Sequence, residues 1–253
     1  MDKVKTGVPG LDDLIGGGIP SDSVVLLSGS PGTGKTVMSL QFLATGARKF
    51  GERGLYITFE EREEKVRDQA LQFGWGFEEL EKEGSLKIMS ISRPSLGQIF
   101  DEINRAIEAF KPQRMVLDSI TYLILAAHAR TRIVDLEKTP VDEKIYPDST
   151  SADAPAMGLD GIVIRKSMID LVKLLEAKNV TTLLTSEVSK NSDWYSRDTM
   201  SEFACDGVIL LKGTSIGAEL QRTLEIVKMR NTRIRGGVYT FEFGRHGISV
   251  NVR

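Results

Sequence analysis

The eight residues Gly29-Ser30-Pro31-Gly32-Thr33-Gly34-Lys35-Thr36 constrain this chain more than any other stretch of it. They satisfy G-x-x-x-x-G-K-[ST], a pattern in which a glycine-rich loop turns successive backbone N–H groups toward phosphate oxygens. The flanks supply the context this chemistry requires. Upstream, Val24-Val25-Leu26-Leu27 is a short apolar run that reads as a buried parallel strand. Downstream, Val37, Leu40, Gln41, Phe42 and Ala44 begin a helical pattern. Strand, loop and helix in that order aim the positive end of the helix at the bound anion. Ser30, Pro31, Gly32, Thr33, Gly34, Lys35 and Thr36 are therefore the expected nucleotide-binding residues. Lys35 would place a point charge on the terminal phosphates, and the Thr36 hydroxyl would ligate Mg²⁺. The expected ligands are ATP and Mg²⁺.

Size and composition narrow the rest. A chain of 253 residues sits at the upper end of one α/β domain. Its 41% hydrophobic and 27% charged residues are ordinary for a water-soluble globular protein. A net charge of −2 gives no global electrostatic attraction to nucleic acid or to an anionic membrane. Cys205 is the only cysteine, which fits a reducing compartment and a cytoplasmic location. The opening residues lack the apolar stretch of a signal peptide, and no segment approaches the roughly 18 apolar residues of a membrane span. His128 and His246 have no metal-ligand spacing.

Strand signals recur at Ser23–Ser28, Leu55–Phe59, Leu86–Ile91, Met115–Asp118, Thr181–Thr185, Gly207–Leu211, Leu224–Met229, Tyr239–Phe243 and Ile248–Val252. The first five alternate with helical stretches at about Gly34–Phe50, Arg62–Phe73, Leu96–Phe110 and Ile162–Ala177. In the third of these, Ile99, Phe100, Ile103, Ile107 and Phe110 share one face. Alternation of this kind predicts an α/β fold with a mainly parallel, twisted sheet and helices on both faces. The C-terminal quarter lacks helical signals, so the sheet should continue there as antiparallel strands. Turns are expected at Gly236-Gly237 and Arg245-His246-Gly247. No repeat or linker divides the chain, which reads as one domain over 1–253. One segment, about 126–160, shows no strand and is rich in Asp, Thr, Ser and Pro. It is expected to be a flexible insertion.

Hydrolysis of a bound triphosphate needs more than a phosphate loop. Arg114-Met115-Val116-Leu117-Asp118-Ser119 ends an apolar strand in a carboxylate, so Asp118 is the expected second metal ligand. Gly54-Leu55-Tyr56-Ile57-Thr58-Phe59-Glu60-Glu61 ends another strand with two acids. The carboxyl ends of parallel strands line the ligand crevice, so Glu60 and Glu61 are candidates for orienting the attacking water. Acids also suit the first turn of a following helix, and that alternative stays open for Glu61.

At this point a family resemblance emerges. The chain resembles the KaiC-like ATPases of the RecA/RadA superfamily, which have a P-loop NTPase core. Thr6-Gly7-Val8-Pro9-Gly10-Leu11-Asp12-Asp13-Leu14, followed by Gly16-Gly17-Gly18-Ile19-Pro20, is similar to that group's entry signature. Phe59-Glu60-Glu61 resembles its paired catalytic glutamates, Phe73-Gly74-Trp75 its next landmark, and Asp118-Ser119 its metal-binding strand end. Arg222-Thr223-Leu224-Glu225-Ile226-Val227-Lys228-Met229-Arg230 resembles its late K-x-R strand. The resemblance implies a self-associated ring, commonly a hexamer, with ATP between neighbours. It further implies that Lys228 and Arg230 act catalytically on the adjacent subunit's nucleotide. From spacing alone, these two cations share one face of a strand.

The chain also departs from the pattern. Asn231-Thr232-Arg233-Ile234 replaces the Gly and His usual after K-x-R. The clock protein's phosphorylated Ser-Thr pair aligns with Glu202-Phe203, which offer no acceptor hydroxyl, so autokinase activity is not expected. The resemblance implies a regulatory or signalling ATPase with an unknown protein partner. Two other readings share the same core. One is a recombinase paralogue acting on single-stranded DNA, for which Lys190, Trp194, Tyr195 and Arg197 supply charge and aromatics. The other is a regulator of a motor such as the archaellum. Thr185-Ser186-Glu187, in place of the Asn-Gln usual in strand-exchange proteins, leans away from DNA.

Overall fold

The computed structural model describes residues 2–92, 95–123, 159–189, 192, 194–216 and 219–252. In chain order the strands are β1 (Lys3–Val4), β2 (Ile19–Pro20), β3 (Val24–Gly29), β4 (Gly54–Thr58), β5 (Leu86–Ser90), β6 (Arg114–Asp118), β7 (Thr181–Glu187), β8 (Gly207–Ile216), β9 (Glu219–Met229), β10 (Val238–Gly244) and β11 (Gly247–Val250). The helices are α1 (Leu11–Leu14), α2 (Lys35–Thr45), α3 (Glu63–Leu71), α4 (Phe77–Lys82), α5 (Leu96–Phe110), α6 (Leu159–Glu176) and α7 (Ser201–Ala204).

Among the described residues, nine strands form one sheet in the order β11-β10-β9-β8-β3-β7-β6-β4-β5. From β5 across to β8 all neighbours are parallel. β9, β10 and β11 then extend the sheet antiparallel, as the loss of helical signal predicts. β3 lies near the middle and is buried throughout. Its side chains alternate between two cores. Val25 and Leu27 pack with α1 to α4, while Val24 and Leu26 pack with α5 and α6. A strand buried on both faces must be apolar at every position, which is why Val24-Val25-Leu26-Leu27 shows no alternation.

α5 matches its expected bounds because its start and its buried face are both encoded locally. The Ser95 hydroxyl accepts from the Gln98 N–H at 3.3 Å, and Ile99, Ile103 and Ile107 are buried. Elsewhere the structure differs from expectation. The helix expected over Gly34–Phe50 is α-helical only to Thr45 and continues as a π-helical turn over Gly46–Phe50. The buried Arg114 guanidinium sits there, donating to the Phe42 carbonyl at 2.9 Å, and a Cβ on Gly46 would lie 2.4 Å from its Nε. A side chain pressed into a helix widens its ladder. β8 and β9 also run further than the apolar signal, pairing out to Ile216 and Glu219. Their outer part is a solvent-facing ribbon, with Lys212, Thr214 and Ser215 exposed, so it lacks an apolar pattern. Residues 1–20, which show little periodicity, contribute the small β1–β2 pair and bury Val8, Leu11, Leu14 and Ile15 against the α2 side of the sheet. Most of the insertion expected at about 126–160 lies outside the described residues. α6 begins at Leu159, three residues before the expected start.

Candidate functional site

A cleft of about 310 Å³ opens beside the phosphate loop at the carboxyl ends of β3, β4 and β6. The loop is braced by its own side chains. The Thr33 hydroxyl donates to the Ser30 carbonyl at 2.8 Å. Gly34, the residue before α2, has φ +108, a conformation that side chains disfavour. A Cβ there would also stand 2.7 Å from the ring of Phe243.

Lys35 is buried at the first position of α2. Its ammonium donates to the Gly29 and Ser30 carbonyls at 3.0 and 3.2 Å and lies 3.7 Å from a Glu187 carboxylate oxygen. Burial lowers its pKa, and the charges of Glu187, Asp118 and Glu60 oppose that shift. The Thr36 hydroxyl lies 3.1 Å from Asp118 Oδ2. Asp118 is held from two further directions, by the Tyr56 hydroxyl and the Thr185 hydroxyl. Burial first, and then the Asp118 charge, push the Tyr56 phenol well above its ordinary range, so it stays a neutral donor.

Glu60 leaves the end of β4 and accepts a hydrogen bond from the Ser119 hydroxyl at 2.7 Å. Glu61 lies beside it, with its carboxylate accepting from Gln69 at 3.0 Å and its N–H donating to Thr58 Oγ1 at 3.0 Å. Lys35, Thr36, Asp118, Glu60 and Glu61 thus all line one cleft. The arrangement offers a cation and backbone donors to an anion, hard oxygen donors to a small cation, and an exposed carboxylate beside both.

Lys228 and Arg230 do not join this group. Met229, between them, pairs with Gly207, and Gly207 pairs with Val25. That level is four residues before Gly29, about 13 Å back along the strand and toward the opposite end of the sheet. Within their own chain the two cations face carbonyls and one acid. Lys228 donates to the Glu202 and Phe203 carbonyls at 3.0 and 3.3 Å; Arg230 meets the Phe203 carbonyl at 3.2 Å and Asp206 at 3.3 Å. Glu202 is buried against Ser196, whereas Phe203 is 61% exposed. Of the aromatic and basic residues noted before α7, Trp194 and Arg197 are exposed, Tyr195 packs against the α5–α6 core, and Lys190 lies outside the described residues.

Sequence reasoning gave no site role to Tyr56, Ser119, Glu187 or Phe243. A signal for the first was present: Tyr56 and Thr58 share one face of β4, two residues apart and leading to Glu60 beyond its end. None linked Phe243, some two hundred residues away, to the loop.

Comparisons with known proteins identify the family. The family model for the KaiC ATPase matches residues 4–139 and 148–253. The circadian clock oscillator protein KaiC of Parasynechococcus marenigrum is 31% identical over 99% of this chain, which spans 45% of that protein. The chain thus spans about half the length of the cyanobacterial relatives it matches. A UPF0273 protein of Aeropyrum pernix is 34% identical over 99% of this chain and 94% of its own length. The crystal structure of a KaiC-like protein from Pyrococcus horikoshii superposes with a TM-score of 0.78 at 34% identity, covering 99% of both chains. Among the described residues, no helix is long and apolar enough to cross a membrane. With its phosphate loop, its strand-end carboxylates and a matching family model along nearly its whole length, the chain belongs to the KaiC ATPase family.

Proposed function

We propose that the chain is a single RecA-like ATPase domain that binds ATP at Ser30–Thr36 and hydrolyses it. The observation that carries this reading is the convergence of Lys35, Thr36, Asp118 and Glu60 on one cleft at the mouth of β3. The loop's N–H groups and the Lys35 ammonium bind and orient the phosphates. Glu60, steadied by Ser119, orients a water in line with the terminal phosphate, and Glu61 supports it. The donor set fits Mg²⁺, which binds through one or two protein oxygens together with phosphates and water. Thr36 and Asp118 would hold it, and its charge would neutralise the phosphate oxygens when bound.

Among the described residues that line the cleft, Lys35 is the only cation. The position of Lys228 and Arg230 toward the far end of the sheet supports a role for them in a neighbouring subunit's site. We therefore infer a homo-oligomer, a hexameric ring by family resemblance, in which ATP lies between copies. Its turnover would regulate a protein partner rather than drive bulk hydrolysis, in the cytoplasm.

Two variants separate binding from chemistry. Lys35→Ala should abolish tight ATP binding. Glu60→Gln should bind ATP as wild type does but turn it over about 10²–10⁴-fold more slowly. Equal turnover in Glu60→Gln and wild type would remove Glu60 from its role.

A further inference from the structure

We propose that Glu63, Arg67 and Glu81 form a removable clamp over the outer edge of β5, and that the edge it covers pairs with the same edge of a second copy of this chain once the clamp is gone. The clamp lies outside the nucleotide cleft and does not depend on the reading given above.

The nine-stranded sheet has two outer edges, β5 and β11. An uncovered edge presents unpaired N–H groups that recruit another strand. In β5 the direction of each N–H follows from its neighbours. The Ile91 N–H donates to the Thr58 carbonyl of β4 at 3.0 Å, and the Ser85 carbonyl accepts from Gly54 at 2.9 Å. Successive residues alternate, so Ile88 and Ser90 turn their N–H groups away from β4. Both meet carboxylates. Ile88 donates to Glu81 Oε1 at 3.2 Å, and Ser90 donates to Glu63 Oε1 at 3.0 Å. Arg67 locks the two acids together. Its Nε and Nη2 reach the two oxygens of Glu81 at 2.6 and 3.1 Å, and Nη2 reaches Glu63 Oε2 at 3.2 Å.

β11 is closed in a different way. Its Ile248 and Val250 N–H groups donate to the buried Gln41 amide oxygen at 2.7 Å and to the Pro9 carbonyl at 2.8 Å. Those acceptors belong to α2 and to the N-terminal segment, so they leave only if the core opens. At β5 the acceptors are ionised side chains on two short helices. Arg67, Glu63 and Glu81 keep 23%, 34% and 21% of their side-chain surface in water. A recess of about 630 Å³ between α3 and α4 lets solvent reach Arg67 and Glu81. Among the residues that line it, Arg67 and Lys82 face four acids, Glu64, Asp68, Glu78 and Glu81. Without Arg67 the acids lose the cation that draws them over the edge.

The strand itself suits pairing with a second copy. Set antiparallel with Ile88 opposite Ile88, two copies of β5 place Leu86 opposite Ser90 and Lys87 opposite Met89. The outward N–H groups then lie at the joint, and no like charges stand directly opposite each other.

The test combines amide hydrogen exchange with cross-linking in wild type and in the double variant Glu63→Ala/Glu81→Ala. In dilute solution the double variant should exchange the Ile88 and Ser90 amides about 10- to 150-fold faster, since each loses one charge-assisted hydrogen bond. The Lys87 and Met89 amides, which face β4, should change far less. As concentration rises, protection of Ile88 and Ser90 should return. Lys87→Cys, added to both proteins, should then give a cross-linked dimer with a short bismaleimide in the double variant alone, because the paired positions stand about 7–8 Å apart. Cys205 is buried and supplies no competing thiol. Arg67→Gln should reproduce both changes, so the test survives if the double variant does not fold. Unchanged exchange at Ile88 and Ser90 would show that the carboxylates do not cover the edge. Faster exchange with no renewed protection and no dimer at high concentration would show that the bared edge does not pair with itself. Equal cross-linking in wild type would show that the clamp closes nothing. Any of the three overturns the proposal.

Discussion

Replacing Arg114 with Leu should cost this protein about 3 kcal/mol of stability without touching the nucleotide site directly. Arg114 opens β6, the strand that ends in Asp118, and its side chain is fully buried. The guanidinium donates to the Lys5 carbonyl at 2.7 Å and the Phe42 carbonyl at 2.9 Å, pairs with Glu52, and covers the ring of Phe42 at 4.7 Å. It thereby ties the N-terminal segment, α2 and β6 to one point. Arg114→Leu removes two charge-assisted hydrogen bonds, at about 1.5–3 kcal/mol each, although the Phe42 carbonyl keeps the Gly46 N–H as a donor. Glu52 keeps 29% of its side-chain surface in water, so losing its partner costs it little. Two effects oppose the loss. Arg114 Nη2 already lacks a partner, and burial disfavours the charge enough to lower the guanidinium's pKa, so leucine relieves both. The net of about 3 kcal/mol corresponds to a fall in Tm of roughly 6–12 °C for a domain of this size. Urea titration of nucleotide-free protein should show a lower midpoint with an unchanged slope, and Glu52→Gln should lose about 1 kcal/mol or less. A loss below about 1 kcal/mol in Arg114→Leu would refute the reasoning, since the two hydrogen bonds would then contribute nothing beyond the cost of burying the charge.

Two further outcomes test assembly and the buried acid of α7. Arg230→Ala and Glu60→Gln should each be nearly inactive, because an arginine supplied from a neighbour is worth about 10³–10⁵ in rate. A mixture of the two should regain part of the activity, since some mixed interfaces contain one intact site; no recovery, or full activity in a monomer at nanomolar concentration, sinks the idea. Burial of the Glu202 carboxyl, beside Asp198, raises its pKa above the ordinary value of 4.5, against the donation from Ser196. The folded chain therefore holds a proton that the unfolded chain has released, and stability falls as pH rises from that value through the raised one. Glu202→Gln should remove this slope and be the more stable form at neutral pH; identical pH profiles of Tm for the two proteins would contradict it.

What could be read without coordinates follows from how local each signal is. Lys35, Thr36 and their helix are encoded within eight residues, and Asp118 and Glu60 each end an apolar strand, so all four were legible. α5 was legible because its cap and its buried stripe lie within sixteen residues. The outer β8–β9 ribbon was not, because strands exposed on both faces need no apolar period. The π-helical turn after Thr45 was not, because its cause is a side chain from β6. Tyr56, Thr185 and Ser119 act on the carboxylates across strand neighbours that only the sheet order defines, and Phe243 meets the loop three strands away.

The phosphate loop leaves one end of the sheet, and the Lys228–Arg230 pair lies toward the other. If those cations serve a neighbour, the joint is head to tail, since the patch on one copy differs from the patch it meets. Two-fold symmetry cannot build such a joint, because a two-fold axis matches each patch with itself. A head-to-tail row has polarity, and an open row of any length always ends in one loop without cations and one cation pair without a loop. Only a rotation that returns the last copy to the first leaves no unmatched end. The number of copies is then set by the angle between the two patches, so a substitution that tilts β9 against β3 would change the stoichiometry of the assembly and leave each site chemically intact.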